Sequence, residues 1–336
     1  MGLAGCSDNC FLQPSHAATS AVAFVFPHKG TVMPKHKKNL ASAYLGIILI
    51  WSTTPLGIVW SAQGVHYTFP LFARMAIGLA VSLLWLAFTR TRLPLDAQAR
   101  RSYAIAGFSI WAAMLCTYWG ARFIPSGMIS VVFGLSPIMT GLFAWAWLRE
   151  DAFSPLKIVG MLLGVGGLFL VFGGSLQLGG AAHWGIAAVL AAVVLQAWGL
   201  VAIKRVGADV PAVAQTAGAL AVTVALSALS LALLGNWPAH MPTRAAAATL
   251  YLGVFGSVAG FSLYYFLIKH ISTGRVALIT LITPVTALFL GMLLNGERLT
   301  LGIAEGTAMI LFGLALYEWG LVSKNGRRLR AARLSE

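Results

Sequence analysis

The chain has 336 residues, 59% of them in the hydrophobic set and only 10% charged, with a formal net charge of +14. Soluble proteins carry about 25% charged residues, so the composition excludes a cytosolic globular enzyme and a disordered chain alike. In a soluble protein the positive balance would suggest nucleic acid; here its meaning depends on where along the chain it falls.

Residues 1–32 come first and hold no span. Ala17 to Phe26 is apolar for about ten residues, too few to cross a bilayer. No basic stretch precedes it, which argues against a signal peptide. Met33-Pro34-Lys35-His36-Lys37-Lys38, directly before the first long apolar run, reads as a natural start. Residues 1–39 are therefore expected to be a disordered tail, of which 1–32 is a tail or a start-site artefact.

Ten apolar runs follow, at 43–61, 69–89, 103–121, 128–148, 158–176, 184–203, 212–234, 245–268, 276–294 and 299–319. Each is close to the roughly 20 residues that a transmembrane helix needs. They are too long and too unalternating for barrel strands. The predicted fold is an all-α integral membrane protein of ten transmembrane helices, closed by a basic tail at 322–336.

Taken in order, the runs carry few polar groups. Trp51 and Pro55 lie in the first. Arg74 lies about five residues into the second, roughly 7–8 Å from its outer end at 1.5 Å per residue. A charge there costs at least about 2.5–3.5 kcal/mol. It reads as an anchor for an anionic group such as a carboxylate, or as a structural pair or cap. Tyr118 and Trp119 end the third run and are cavity-lining candidates. Ser136-Pro137 interrupts the fourth, because proline lacks the amide donor and clashes with the preceding turn. Freed carbonyls in a span must face protein or a wet cavity, so this run is a candidate pathway wall. Glu150 follows it, beside Arg149. Gly160 and Gly164 in the fifth run, like Gly256 and Gly260 in the eighth, have the spacing for close helix approach. Gln196 and Trp198 lie in the sixth run, Gln215 in the seventh, and Tyr264 and Tyr265 in the eighth. Thr283-Pro284 repeats the interruption in the ninth, with Glu297 beside Arg298 after it. Glu150 and Glu297 read as caps or gate pairs at the membrane surface. Glu305, in the tenth run at a depth similar to Arg74, reads as its partner, as a coupling acid or as an interfacial carboxylate.

The basic residues are asymmetric. With a cytoplasmic N-terminus, nineteen of the 23 lysines and arginines fall in cytoplasmic segments; Arg122, Arg244 and Arg298 fall outside, and Arg74 lies within a span. Positive residues accumulate on the cytoplasmic side, which predicts both termini inside and a place in the plasma (inner) membrane.

The two halves match at a fixed offset of 147: Trp51 with Trp198, Tyr118 with Tyr265, Gly127 with Gly274, Pro137 with Pro284 and Glu150 with Glu297. After a one-residue deletion, at offset 146, Gly160 meets Gly306 and Gly167 meets Gly313. Arg74 faces Gln215 at a local offset of 141. This is a duplicated unit of five helices, at 40–177 and 178–321. Because five is odd, the second copy enters the membrane inverted, an architecture of secondary transporters.

These residues resemble the drug/metabolite transporter superfamily, in the form with two tandem EamA-type domains. The resemblance rests on Trp51-Ser52 and Trp198-Gly199, on Arg74, on Ser136-Pro137 and Thr283-Pro284 with glutamates closing those helices, and on the glycine-rich helix after each. It implies a ten-helix carrier, often an exporter, with cytoplasmic termini.

The expected function is secondary transport of small organic metabolites, amino-acid-like or amphipathic, by alternating access between the two repeats. The partners are a small-molecule substrate and the lipid bilayer, with a proton or counter-substrate as the coupling species, and no nucleic acid. No cofactor is expected. No histidines have metal-ligand spacing, and no phosphate-binding Gly-x-x-x-x-Gly-Lys-Ser/Thr loop occurs. The alternatives are a non-transporting scaffold or sensor, or an intramembrane enzyme, for which no nucleophile–base pair is found inside the spans.

Overall fold

The computed structural model describes residues 34–149, 155–175, 181–260, 263, 267, 273–298 and 300–334. In order the helices are α1 (Pro34–Ser61), α2 (Thr68–Thr89), α3 (Ala97–Gly120), α4 (Ser126–Phe133), α5 (Ser136–Leu148), α6 (Pro155–Ser175), α7 (Ala182–Val206), α8 (Ala212–Leu234), α9 (Thr243–Tyr251), a π-helical segment (Leu252–Ala259), α10 (Thr273–Asn295) and α11 (Leu301–Leu334). Each of the ten predicted runs is helical over most of its described residues; the fourth is interrupted by a turn at Gly134–Leu135. Among the described residues, six helical stretches are long and apolar enough to cross a membrane, and Pro155–Val171 and Ile279–Asn295 are shorter apolar ones. Helices keep the backbone amides bonded within the segment, which is what lipid demands.

Local chemistry sets the helix ends. Asp96 Oδ2 accepts the amides of Gln98 and Ala99, both at 3.1 Å, and so caps α3. Gly207 closes α7 at a φ of 63°. Arg90 and Arg149 close α2 and α5 in the same left-handed region, where their charge also suits the negative end of a helix. Helix α1 starts at Pro34 and α11 runs to Leu334, so both continue into the expected tails. The compact body begins at Leu40.

Contacts between the described connections define two ends: Gly64 lies against Pro242, Gly235 against His66 and Thr68, and Glu297 bonds Ser126, whereas Gln98 bonds the Val206 carbonyl. One holds the connections near residues 62–67, 121–125, 235–242 and 296–300, and is called the Glu297 end. The other holds those near 90–96 and 207–211, and is called the Asp96 end.

The repeat is visible as a seam of glycines between α6 and α11. A Cβ on Gly160 would lie 2.4 Å from the Gly313 carbonyl oxygen, and one on Gly167 would lie 2.6 Å from that of Gly306. Gly160 and Gly306 are equivalent in the repeat, as are Gly167 and Gly313. Equivalent residues therefore exchange partners across the seam, the signature of a two-fold axis. The helices are antiparallel there, so the axis crosses them and the second half is inverted. Around this seam the largest core joins α4, α6, α7 and α11, with Met128, Val132, Ile186, Val189 and Ile310 fully buried.

Candidate functional site

The fourth span changes character part-way along. Ser126 through Val132 of α4 are all buried. The helix stops at Phe133, turns through Gly134 and Leu135, and restarts as α5 with Pro137 in its first turn, a position that tolerates proline. In α5 only Ile138 is buried. Gly134 faces the second repeat's proline: a Cβ there would lie 3.7 Å from Pro284 Cγ. Unlike its counterpart, Pro284 sits inside an unbroken helix.

Helix α7 shows the same change. Gly185, Val189 and Val193 are buried, but Gln196 and Leu200 on the same stripe are exposed. The opposite stripe, with Trp184, Ala187 and Ala191, is exposed already in the Glu297-end half, as lipid contact requires. The stripe ending in Gln196 and Leu200 is thus buried toward the Glu297 end and exposed toward the Asp96 end.

At the Glu297 end the two repeats are tied by polar groups. Glu297 Oε1 accepts the Ser126 amide at 2.9 Å, and Oε2 accepts the Gly127 amide at 3.1 Å. These are orphan donors of the α4 N-terminus, whose own N-cap, Pro125, supplies no side-chain bond. Asn295 Nδ2 donates to Glu297 Oε1 at 3.0 Å, and Trp60 Nε1 donates to Asn295 Oδ1 at 3.0 Å. The Arg244 guanidinium lies 3.9 Å from the Trp60 ring centroid. His66, in the α1–α2 connection, is held below the usual imidazole pKa by burial and by the Arg122 charge.

Two further polar contacts cross between repeats. Arg74, 5% exposed, donates from Nε to Ser257 Oγ at 3.2 Å. Its Nη1 approaches Met114 Sδ at 3.9 Å. Ser257 is in the π-helical segment and donates to the Leu252 carbonyl five residues back. Gly256 leaves room for the guanidinium: a Cβ there would sit 3.3 Å from Nη2. The repeat counterpart, Gln215 on α8, exchanges hydrogen bonds with Ser102 on α3, receiving one on Oε1 at 2.9 Å and giving one from Nε2 to the Ser102 carbonyl at 3.3 Å. Each second helix thus bonds to the third helix of the other repeat. Among the described residues no carboxylate pairs with Arg74. Glu305 is exposed on α11, so an Arg74–Glu305 pair does not form.

The other expected residues are scattered. Trp51 is half-buried beside Leu263, with Nε1 3.1 Å from where a Gly260 Cβ would be. Tyr118 is completely buried among Ile58, Leu71, Met75 and Leu252, and its hydroxyl accepts from Ser61 at 3.4 Å. Trp119 packs edge-on against Phe123 at 4.9 Å and lines a shallow apolar groove of about 320 Å³ with Tyr67, Leu115, Cys116 and Ala188. Trp198 makes edge contacts with Phe108 and Trp147, both at 6.3 Å. Ser136 and Pro137 are half-buried, while Thr283 and Pro284 are buried. Thr286, one turn on in α10, is hydrogen-bonded to Ser52 of α1. Glu150, Tyr264 and Tyr265 lie outside the described residues.

Sequence reasoning missed Asn295, Trp60 and the π-helical segment. The signal available was Asn295-Gly296-Glu297, a turn tripeptide ending a span. It also read Gly256 and Gly260 as a helix-approach motif. In the structure these glycines make space for the Arg74 and Trp51 side chains instead.

The sequence pattern of the EamA-like transporter family matches residues 39–173 and 183–319. The uncharacterized transporter YvbV of Bacillus subtilis is 23% identical over 84% of this chain and 92% of its own length. The uncharacterized inner membrane transporter YedA of Escherichia coli is 27% identical over 84% and 91%. An S-adenosylmethionine/S-adenosylhomocysteine transporter of Chlamydia trachomatis is 24% identical over 80% and 85%. A protein of known crystal structure, 20% identical, shares the fold with a TM-score of 0.58 over 83% of this chain and 97% of its own.

Proposed function

The chain belongs to the EamA-like transporter family, and from that membership we propose that it is a secondary carrier that exports small organic metabolites by alternating access between its two inverted repeats. The observation that carries the reading is the one-sided burial of α4–α5 and of the Gln196 stripe on α7. A pathway shut at one end and open at the other is what an alternating-access carrier presents in one of its two states. With the basic segments in the cytoplasm, the Glu297 end faces outward and this state opens inward, as a carrier loading cargo for export would.

Ser136 and Pro137, just beyond the break in the fourth span, and Gln196 on α7 are our pathway candidates. Pro284 faces that break from the second repeat, with Thr283 next to it in the chain. Arg74 is the group suited to a carboxylate, and amino-acid-like compounds are the substrate class. The similarity to a carrier of S-adenosylmethionine, itself an amino-acid derivative, supports that class.

Liposomes containing the purified chain, assayed with labelled amino acids and S-adenosylmethionine with and without a pH gradient, test this. Saturable flux of at least one compound above protein-free liposomes is expected. Folded protein that moves none of them under either condition overturns the reading.

A further inference from the structure

We propose that Glu297 is the positioning residue that holds the Glu297 end of the pathway shut, and that this end opens only when its carboxylate leaves the amides of Ser126 and Gly127. The proposal rests on the alternating-access reading above. It adds which group makes the closed state and which helix moves when that group lets go.

The contact has the features of a reversible closure. Glu297 belongs to the second repeat and the amides it binds belong to the first. Both carboxylate oxygens are used, one per amide. Hydrogen bonds to an ionised group are the stronger kind, and they fall on a helix N-terminus, which favours negative charge. Helix α4 has no cap of its own, since Pro125 occupies that position. Among the described residues the buried Ser126 hydroxyl has no hydrogen-bond partner, and the amides of this helix end are completed from the other repeat.

The carboxylate is seated rather than loosely placed. The Glu297 amide donates to the Gly291 carbonyl at 3.2 Å, folding the connection back on α10. A Cβ at Gly291 would lie 2.2 Å from Glu297 Oε2, so a side chain there would displace the carboxylate. Asn295 gives the third hydrogen bond and passes the restraint to Trp60, over which Arg244 lies. From Arg244 to α4 the chain of contacts alternates between repeats, second, first, second, first. Arg244 reaches Glu297 through the Trp60 ring, and Arg298 follows it in the chain.

The moving part is also defined. Helix α4 is buried along its length and ends at the Gly134–Leu135 break, against Pro284. Once released it can turn about that break without unravelling α5. The residue types recur at the 147 offset as Thr273-Gly274 and Glu150, the recurrence expected if an inverted repeat carries one closure for each end.

The test uses the full chain, purified in detergent with Cys6, Cys10 and Cys116 replaced by alanine. It carries one reporter at a time: Ser130→Cys on buried α4, or Gln196→Cys on the open stripe of α7. The readout is the rate of reaction with a bulky charged maleimide. With Glu297 intact, Ser130→Cys should label slowly and Gln196→Cys fast. Glu297→Gln, which keeps the shape but replaces one acceptor oxygen by a donor, should speed the first roughly tenfold and slow the second, as expected when a hydrogen bond to a charged group is lost. Glu297→Asp, which keeps the charge on a shorter arm, should fall between. A purely structural role predicts that both reporters speed up together, and that result, or an unchanged Ser130→Cys rate, overturns the proposal. If both reporters label equally fast with Glu297 intact, the alternating-access reading itself fails.

Discussion

Arg74 shows what a charge does when it is carried into an apolar bundle. Its guanidinium has five N–H donors, yet among the described residues it meets only the Ser257 hydroxyl and the Met114 sulfur. Such a group weakens the fold it sits in, because ionised groups are costly to bury unpaired. If Arg74 serves the substrate and not the fold, stability and flux should respond differently to its removal. Arg74→Met, similar in shape and uncharged, should leave the thermal midpoint in detergent unchanged or higher while lowering flux at least about tenfold, equivalent to about 1.4 kcal/mol of lost interaction. A parallel loss of stability and flux would make the arginine structural.

At this scale the sequence was partly readable. Arg74 is conspicuous because nothing else in its run is charged. Its partner is not, since Ser257 sits 183 positions away and is marked by no motif. Glu297 could be read as a cap, but not as the cap of a helix that begins at Ser126 in the other repeat. A hydrogen bond between repeats depends on how they dock, and one chain's residue order does not display that.

Among the elements, the apolar runs were enough to locate the helices, because lipid leaves the backbone so few alternatives. The departures from regularity were harder to see. Pro137 and Pro284 are equivalent in sequence, yet only the first repeat breaks its helix, two residues ahead of the proline at Gly134–Leu135. The π-helical segment has no counterpart in α3, although the same repeat position is occupied. Such asymmetries are expected where one end of a bundle is closed and the other open, since equivalent helices are then under different packing. The seam between α6 and α11 is regular and should be intolerant. Gly160→Val would push a side chain into the Gly313 carbonyl and the Tyr317 amide, 2.4 and 2.8 Å from the new Cβ. Overpacking of this kind costs about 1–3 kcal/mol, so the thermal midpoint in detergent should fall by several degrees, whereas Gly173→Ala, which meets nothing within 4 Å, should leave it unchanged.

For the whole molecule, charge and periodicity carried more information than any single residue. The net charge of +14 is concentrated in segments that the positive-inside rule assigns to one side of the membrane. The offset of 147 located the repeat, and the odd number of helices per copy required the inversion. The difference in burial between the two ends of α4–α5 and of α7 was not available from either; it appears only in the folded chain.

The glycine seam has a consequence for how the protein can be made. Each repeat presents to the other the surface that its twin presents back, which is how two identical subunits meet in a homodimer. The join in the chain then serves mainly to keep the two copies at high local concentration. A gene cut between residues 173 and 183, with the pieces co-expressed, should yield two polypeptides that co-purify as one heterodimeric carrier and retain flux. Gly160→Val in one piece should weaken the co-purification.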